Sequence, residues 1–115
     1  MRGRRSRAKL ILLMPEIPSR PLALALHGGS GTIRRDRMSP EREHAYRKAL
    51  QEALQAGWKI LQAEGCALDA VEAVARHLED CPLFNAGRGA VLTADGGHEL
   101  DAAIMNGRDR AAGAV

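Results

Sequence analysis

Aromatic side chains are nearly absent. Tyr46, Trp58 and Phe84 are the full set, 3% of 115 residues. An interior of packed rings is excluded, so the core must come from Ala, Leu, Val and Ile. Cysteine is scarce as well. Cys66 and Cys81 alone do not make a disulfide framework, and they read as two free, buried thiols in a reducing, cytoplasmic setting. No apolar run comes near the roughly 18 residues needed to cross a bilayer, so a membrane partner is not expected. The basic start is followed only by the short apolar stretch from Leu10 to Met14, with no small-residue cleavage site, which does not make a secretory signal.

What is present is the balance of one small globular domain, 45% hydrophobic and 27% charged. The formal charge of +3 is unevenly placed. Residues 1–20 carry six basic side chains against Glu16, a net of +5, and residues 21–115 carry eleven against thirteen acidic ones, a net of −2. Basicity therefore belongs to a tail, expected to be a disordered extension over 1–20. Such a tail holds polyanions weakly and in a salt-dependent way, and a nucleic-acid site is not expected.

Order is expected from Pro21. Leu22–Leu26 is a continuous apolar run stopped by His27-Gly28-Gly29-Ser30-Gly31, the pattern of a buried strand ending in a tight loop. Ser39-Pro40-Glu41 opens a helix, with a capping hydroxyl, a proline in the first turn and an acid at the positive end of the dipole. Tyr46, Ala49, Leu50, Ala53, Leu54, Trp58 and Leu61 then form one stripe at helical spacing, and Gly65 ends it. A second helix follows, with Val71, Val74 and Leu78 on one face beside Ala67 and Ala70, and Pro82 stops it. Ala90–Thr93 reads as a strand, Asp95-Gly96-Gly97 as a turn, and His98–Met105 as a strand buried on both faces. Asn106-Gly107 is a hairpin signal leading to an apolar strand over Ala111–Val115. A strand of that character at the end of the chain exposes backbone and apolar groups, and the expectation is an incomplete sheet that further chain or a partner completes.

Candidate chemistry is sparse. His27, His44, His77 and His98 match no zinc pattern, and His44 and His77 fall on helices as surface or packing residues. The loop from His27 to Thr32 follows a strand but lacks the lysine and spacing of a phosphate loop, so a turn explains its glycines equally well. Cys81 has no His–Asp partner at a suggestive spacing and reads as structural. Cleavage of Gly31–Thr32 could expose Thr32 as an N-terminal nucleophile, but it would release mostly the tail. Asn85, in an irregular loop and expected to be buried, could hold that loop or donate to a developing oxyanion. The residues alone leave both open.

Four segments together carry a resemblance: Leu24–Gly31, Ala67–Val74, Leu78–Val91 (containing Phe84-Asn85-Ala86-Gly87-Arg88-Gly89-Ala90-Val91) and Glu99–Ala102. In this order and spacing they resemble the start of the plant-type (type 2) L-asparaginase and isoaspartyl peptidase family of N-terminal-nucleophile hydrolases. The likeness covers about residues 21–115 and corresponds to the N-terminal part of the family's α-subunit.

The resemblance implies an α+β fold, here an incomplete piece of an αββα four-layer sandwich. It implies a precursor that cuts itself before a threonine, whose hydroxyl then hydrolyses L-asparagine or β-aspartyl peptides through an acyl-enzyme. That threonine belongs to a later motif, so no catalytic nucleophile is expected in this chain, and the chain alone should be inactive. The implied partners are the remainder of the precursor and further copies of the complete enzyme. The resemblance places Gly28 and Gly29 in a loop supporting self-cleavage and Asn85 near the scissile bond. It implies no organic cofactor and one structural sodium ion, held by the backbone carbonyls of Leu78, Glu79, Cys81, Phe84, Ala86 and Arg88, a donor type suited to a hard cation. Three positions depart from the family's habit. Arg88 replaces an aliphatic residue, Asn106 replaces an aspartate, and Cys66 stands where a better-capping serine is common. The reading from another class is a non-catalytic pseudo-subunit that completes a sheet with a second chain.

Overall fold

The computed structural model describes residues 21–29 and 35–115. The basic segment 1–20 and the Gly31–Thr32 pair lie outside the described residues. Two helices carry the structure, and a short antiparallel hairpin follows them.

Helix α1, Pro40–Gln62, begins where a cap, a proline and acids coincide. Ser39 accepts a hydrogen bond from the Arg42 amide at 3.2 Å, and Pro40 occupies the first turn without wasting a donor. The Glu41 carboxyl is held below its ordinary value by a hydrogen bond from its own backbone and then by the Ser39 hydroxyl. The outer face is laced with spaced charges, including a 2.7 Å pair between Arg47 and Glu43.

Helix α2, Ala67–Asp80, follows after the Gly65 turn. Its N-cap is Cys66, whose Sγ accepts from the Asp69 amide at 3.4 Å, so the thiol does cap the helix although a serine is the better cap. Cys66 is exposed and Cys81 half-buried, both free, which corrects the expectation of two buried thiols.

The core is the seam between these helices. Ala49, Ala53 and Gly57 lie one turn apart on α1 and are buried, as are Ala70 and Val74 on α2. Gly57 shows how close the two helices come. A Cβ there would come within 2.6 Å of Val74 Cγ2 and 2.9 Å of the Ala70 carbonyl oxygen. The larger members of the expected α1 stripe flank the seam instead of filling it, and Leu54 and Trp58 remain over a third exposed.

The strands depart most from expectation. Residues 22–26 form no strand, although Leu24, Leu26 and Gly28 are half-buried in alternation and Leu24 lies against Gly57. Residues 90–93 are not a strand either. Thr93 instead closes a turn, donating its amide to Gly97 O at 2.9 Å. The expected strand over 98–105 contracts to β1, Ala103–Met105, which pairs with β2, Ala112–Ala114, in the register Ile104 opposite Gly113. Both are exposed, not buried. A strand signal marks a segment that suits a sheet, but ladder bonds and burial need neighbours on both sides. Among the described residues only the hairpin supplies its own.

Since the seam has no room for a side chain at position 57, Gly57→Val is expected to destabilise the fold by about 1–3 kcal/mol, read as a lower urea midpoint. A midpoint within error of wild type would show that the helices do not meet there.

Candidate functional site

The C-terminus of α2 delivers the chain into a tight, irregular loop. Leu78 O accepts from the Cys81 amide at 3.2 Å, and Cys81 O accepts from Phe84 N at 3.4 Å. A 3-10 turn over Gly87–Gly89 follows, in which Ala86 O accepts from Gly89 N at 3.0 Å and Gly87 O from Ala90 N at 3.1 Å. Two glycines make this path possible. Gly87 has a φ of +49°, and its face toward Glu79 leaves no room for a Cβ. At Gly89 a Cβ would collide with the Phe84 carbonyl oxygen and lie 2.8 Å from the Pro82 carbonyl oxygen.

Phe84 anchors the loop. It is buried and meets Tyr46 of α1 edge-to-face, with ring centres 5.8 Å apart at 70°. Its Cε1 would also touch a Cβ placed on Gly28, at 3.2 Å, with Leu50 Cδ2 at 2.9 Å on the same side. The glycine loop and the loop after α2 therefore meet at Phe84, although some fifty residues separate them in sequence. Next to Gly28, Gly29 has a φ of +104° and donates its amide to His27 Nδ1 at 3.2 Å. Space is open around it, so this position needs glycine for its backbone angle alone.

Asn85 is exposed, not buried. Its Oδ1 accepts from the Val91 amide at 2.9 Å, which ties the loop across six residues. That bond uses the carboxamide oxygen and leaves the Nδ2 hydrogens as donors. Asn85 lines a cleft of about 670 Å³ together with Glu79, Thr93, Glu99 and Asp101.

Among the described residues, no three His, Cys, Asp or Glu side chains converge as metal ligands. The six positions expected to bind sodium are spaced through the end of α2 and this loop, from Leu78 to Arg88. The carbonyl oxygens of Glu79, Phe84 and Pro82 crowd the side-chain faces of Gly87 and Gly89, the first two of them members of the expected set. Arg88 projects into solvent, 3.7 Å from Asp80 with both side chains largely exposed. Its departure from an aliphatic residue therefore asks nothing of the core. Tyr46 and Leu50, which shape the site by backing Phe84 and Gly28, appeared in sequence only as members of a helical stripe. That Tyr46 and Phe84 are two of only three aromatics was the available signal for their pairing.

With Phe84 as keystone, Phe84→Ala is expected to cost about 3 kcal/mol of stability. It should also release the loop, seen as faster hydrogen exchange at the Gly89 and Ala90 amides. Unchanged exchange at those two amides would show that the loop holds itself.

Comparison with known proteins gives the family. The family model described as asparaginase matches residues 20–115. The isoaspartyl peptidase of Salmonella typhimurium is 54% identical over 92 residues, covering 80% of this chain and 29% of that protein. The plant-type L-asparaginase of Pyrococcus abyssi is 51% identical over 94 residues, 82% of this chain and 29% of its own length. The isoaspartyl peptidase/L-asparaginase of Rattus norvegicus is 45% identical over 94 residues, 82% and 27% respectively. The chain thus spans less than a third of the length of the curated relatives it matches. On the extent of the match and the level of identity, the chain belongs to the asparaginase family.

Proposed function

We propose that this chain forms the glycine-loop and carbonyl-loop side of a hydrolase site that cleaves the side-chain amide of L-asparagine or the β-aspartyl bond of isoaspartyl peptides. In this reading it works as the front portion of a four-layer αββα assembly. The nucleophile is a threonine outside these 115 residues, freed by self-cleavage of the precursor. The observation that supports the reading most directly is the meeting of Gly28 with Phe84, which brings the two expected loops together in the fold of this chain.

Within that site each residue has a physical task. Asn85, its oxygen held by Val91, offers its Nδ2 hydrogens to negative charge developing on the attacked carbonyl. Gly28 lets the loop seat against Leu50 and Phe84, and Gly29, open to solvent and at an angle other residues avoid, leaves room for another segment to approach. The carbonyls of Leu78, Glu79, Cys81, Phe84, Ala86 and Arg88 would hold a sodium ion. When bound, the ion supplies fixed positive charge that keeps these oxygens from repelling one another. Further copies of the complete enzyme are the expected oligomeric partners.

The chain alone, assayed with L-asparagine and with a β-aspartyl dipeptide, is expected to release no ammonia or free aspartate above the buffer rate. Saturable turnover by the chain alone would overturn the placement of the nucleophile. Fused to the remaining residues of the Salmonella relative, it should split into two bands on a denaturing gel and hydrolyse the dipeptide. There Asn85→Ala should lower kcat on the order of a hundredfold, and an unchanged kcat would remove Asn85 from the reaction.

If the loop binds sodium, NaCl should raise the melting temperature of the chain more than choline chloride at equal ionic strength, because a ligand of the folded state stabilises it by mass action. Equal shifts in the two salts would remove the ion from the account.

A further inference from the structure

Asn106 opens the turn that joins β1 to β2, and its backbone is fixed on both sides. Its amide donates to Ala111 O at 2.8 Å, and its carbonyl accepts from Arg110 N at 2.8 Å. The side chain folds forward. Oδ1 accepts from the Arg108 amide at 3.0 Å, closing a small ring that contains the nitrogen of Gly107. That bond also polarises the carboxamide, placing a donor where negative charge would develop if its carbon were attacked. The Gly107 nitrogen makes no hydrogen bond among the described residues. Gly107 is exposed, and nothing lies within 4 Å of where its Cβ would be. A polarised amide carbon, a free neighbouring nitrogen and the absence of a shielding side chain each favour intramolecular cyclisation.

We propose that Asn106 is a site of spontaneous covalent modification, deamidating through a cyclic imide to a mixture of aspartate and isoaspartate. The Gly107 nitrogen gives its proton to solvent and attacks Cγ of Asn106. The new N–Cγ bond forms as Cγ–Nδ2 breaks, and Nδ2 takes a proton and leaves as ammonia. Water then adds to one of the two imide carbonyls and breaks its bond to nitrogen. Opening at one carbonyl gives aspartate and at the other isoaspartate. No electrons are exchanged, and water is the sole co-reactant.

The same structure explains why the reaction is confined to this position. The sequence has one other asparagine, Asn85. Its following residue, Ala86, carries a Cβ that shields the attacking nitrogen, and its carboxamide is tied across the loop to Val91 N, six residues away, rather than to the nitrogen two residues on. Asp95–Gly96 has the right second residue, but there the glycine amide is occupied, donating to Thr93 O at 3.0 Å. The Asp95 carboxylate accepts from Thr93 Oγ1 at 2.7 Å, and as an anion it resists nucleophilic attack. At Asn106 the isoaspartate product would add one carbon to the main chain beside Met105, whose pairing with Ala112 is the hairpin's last rung before the turn. None of this depends on the hydrolase reading.

The test is to hold the 115-residue chain at mildly alkaline pH and body temperature, sampling over days for peptide mapping by mass spectrometry and for released ammonia. The peptide containing residue 106 should gain the mass of NH exchanged for O and resolve into two isomers. The Asn85 peptide should convert at least about tenfold more slowly, and Asp95 should not isomerise over the same period. Gly107→Ala is expected to slow conversion by about tenfold or more. It should keep the fold, since Gly107 is outside the left-handed region and its Cβ position is open, which circular dichroism checks. Asn106→Gln should abolish the fast ammonia release. Equal rates at residues 85 and 106, or a Gly107→Ala chain converting at the wild-type rate, would overturn the proposal.

Discussion

The structure depends on how closely two helices can approach. Ala49, Ala53 and Gly57 on one side, with Ala70 and Val74 on the other, leave little but backbone between α1 and α2. Close-packed interiors tolerate neither gaps nor extra atoms, so a seam this thin fixes the two axes relative to each other more tightly than a layer of leucines would. A chain with three aromatics cannot build its interior from bulk. It gains order from proximity instead, and the larger apolar side chains, Leu54 and Trp58, sit at the rim.

The loop after α2 inherits its position from that seam. Its anchor, Phe84, reaches back to Tyr46 on α1 and supports Gly28 from beneath. Both loops singled out by the family motifs are thus referenced to the same helix. The functional reading rests on backbone more than on side chains. Carbonyl oxygens crowd around Gly87 and Gly89, Gly29 takes a left-handed angle, and one carboxamide is pinned by its oxygen with its nitrogen left to donate. On the proposed reading such a site tolerates an outward arginine at position 88, because the group it would use there is the peptide carbonyl.

Helices were legible in the sequence because their signals are local. Ser39-Pro40-Glu41 marks a start, Gly65 and Pro82 mark stops, and the observed bounds fall beside them. The hairpin turn at Asn106-Gly107 was legible for the same reason. Strands were not. Leu22–Leu26 and Ala90–Thr93 have the composition of strands but no adjacent strand among the described residues, and pairing is a property of two segments. The motifs located Gly28, Gly29 and Asn85. Neither the exposure of Asn85 nor its bond to Val91 could be read, because both follow from the path the loop takes around two crowded glycines.

The most direct measurement of the central claim is residue-resolved hydrogen exchange on the intact chain. If the small-residue seam organises the rest, the interior amides of α1 and α2 should open together with one common free energy, and the β1–β2 hairpin should exchange much faster. If α1 stays protected while α2 exchanges as freely as the hairpin, the helices are not locked along Ala53 and Gly57, and the account fails at its foundation.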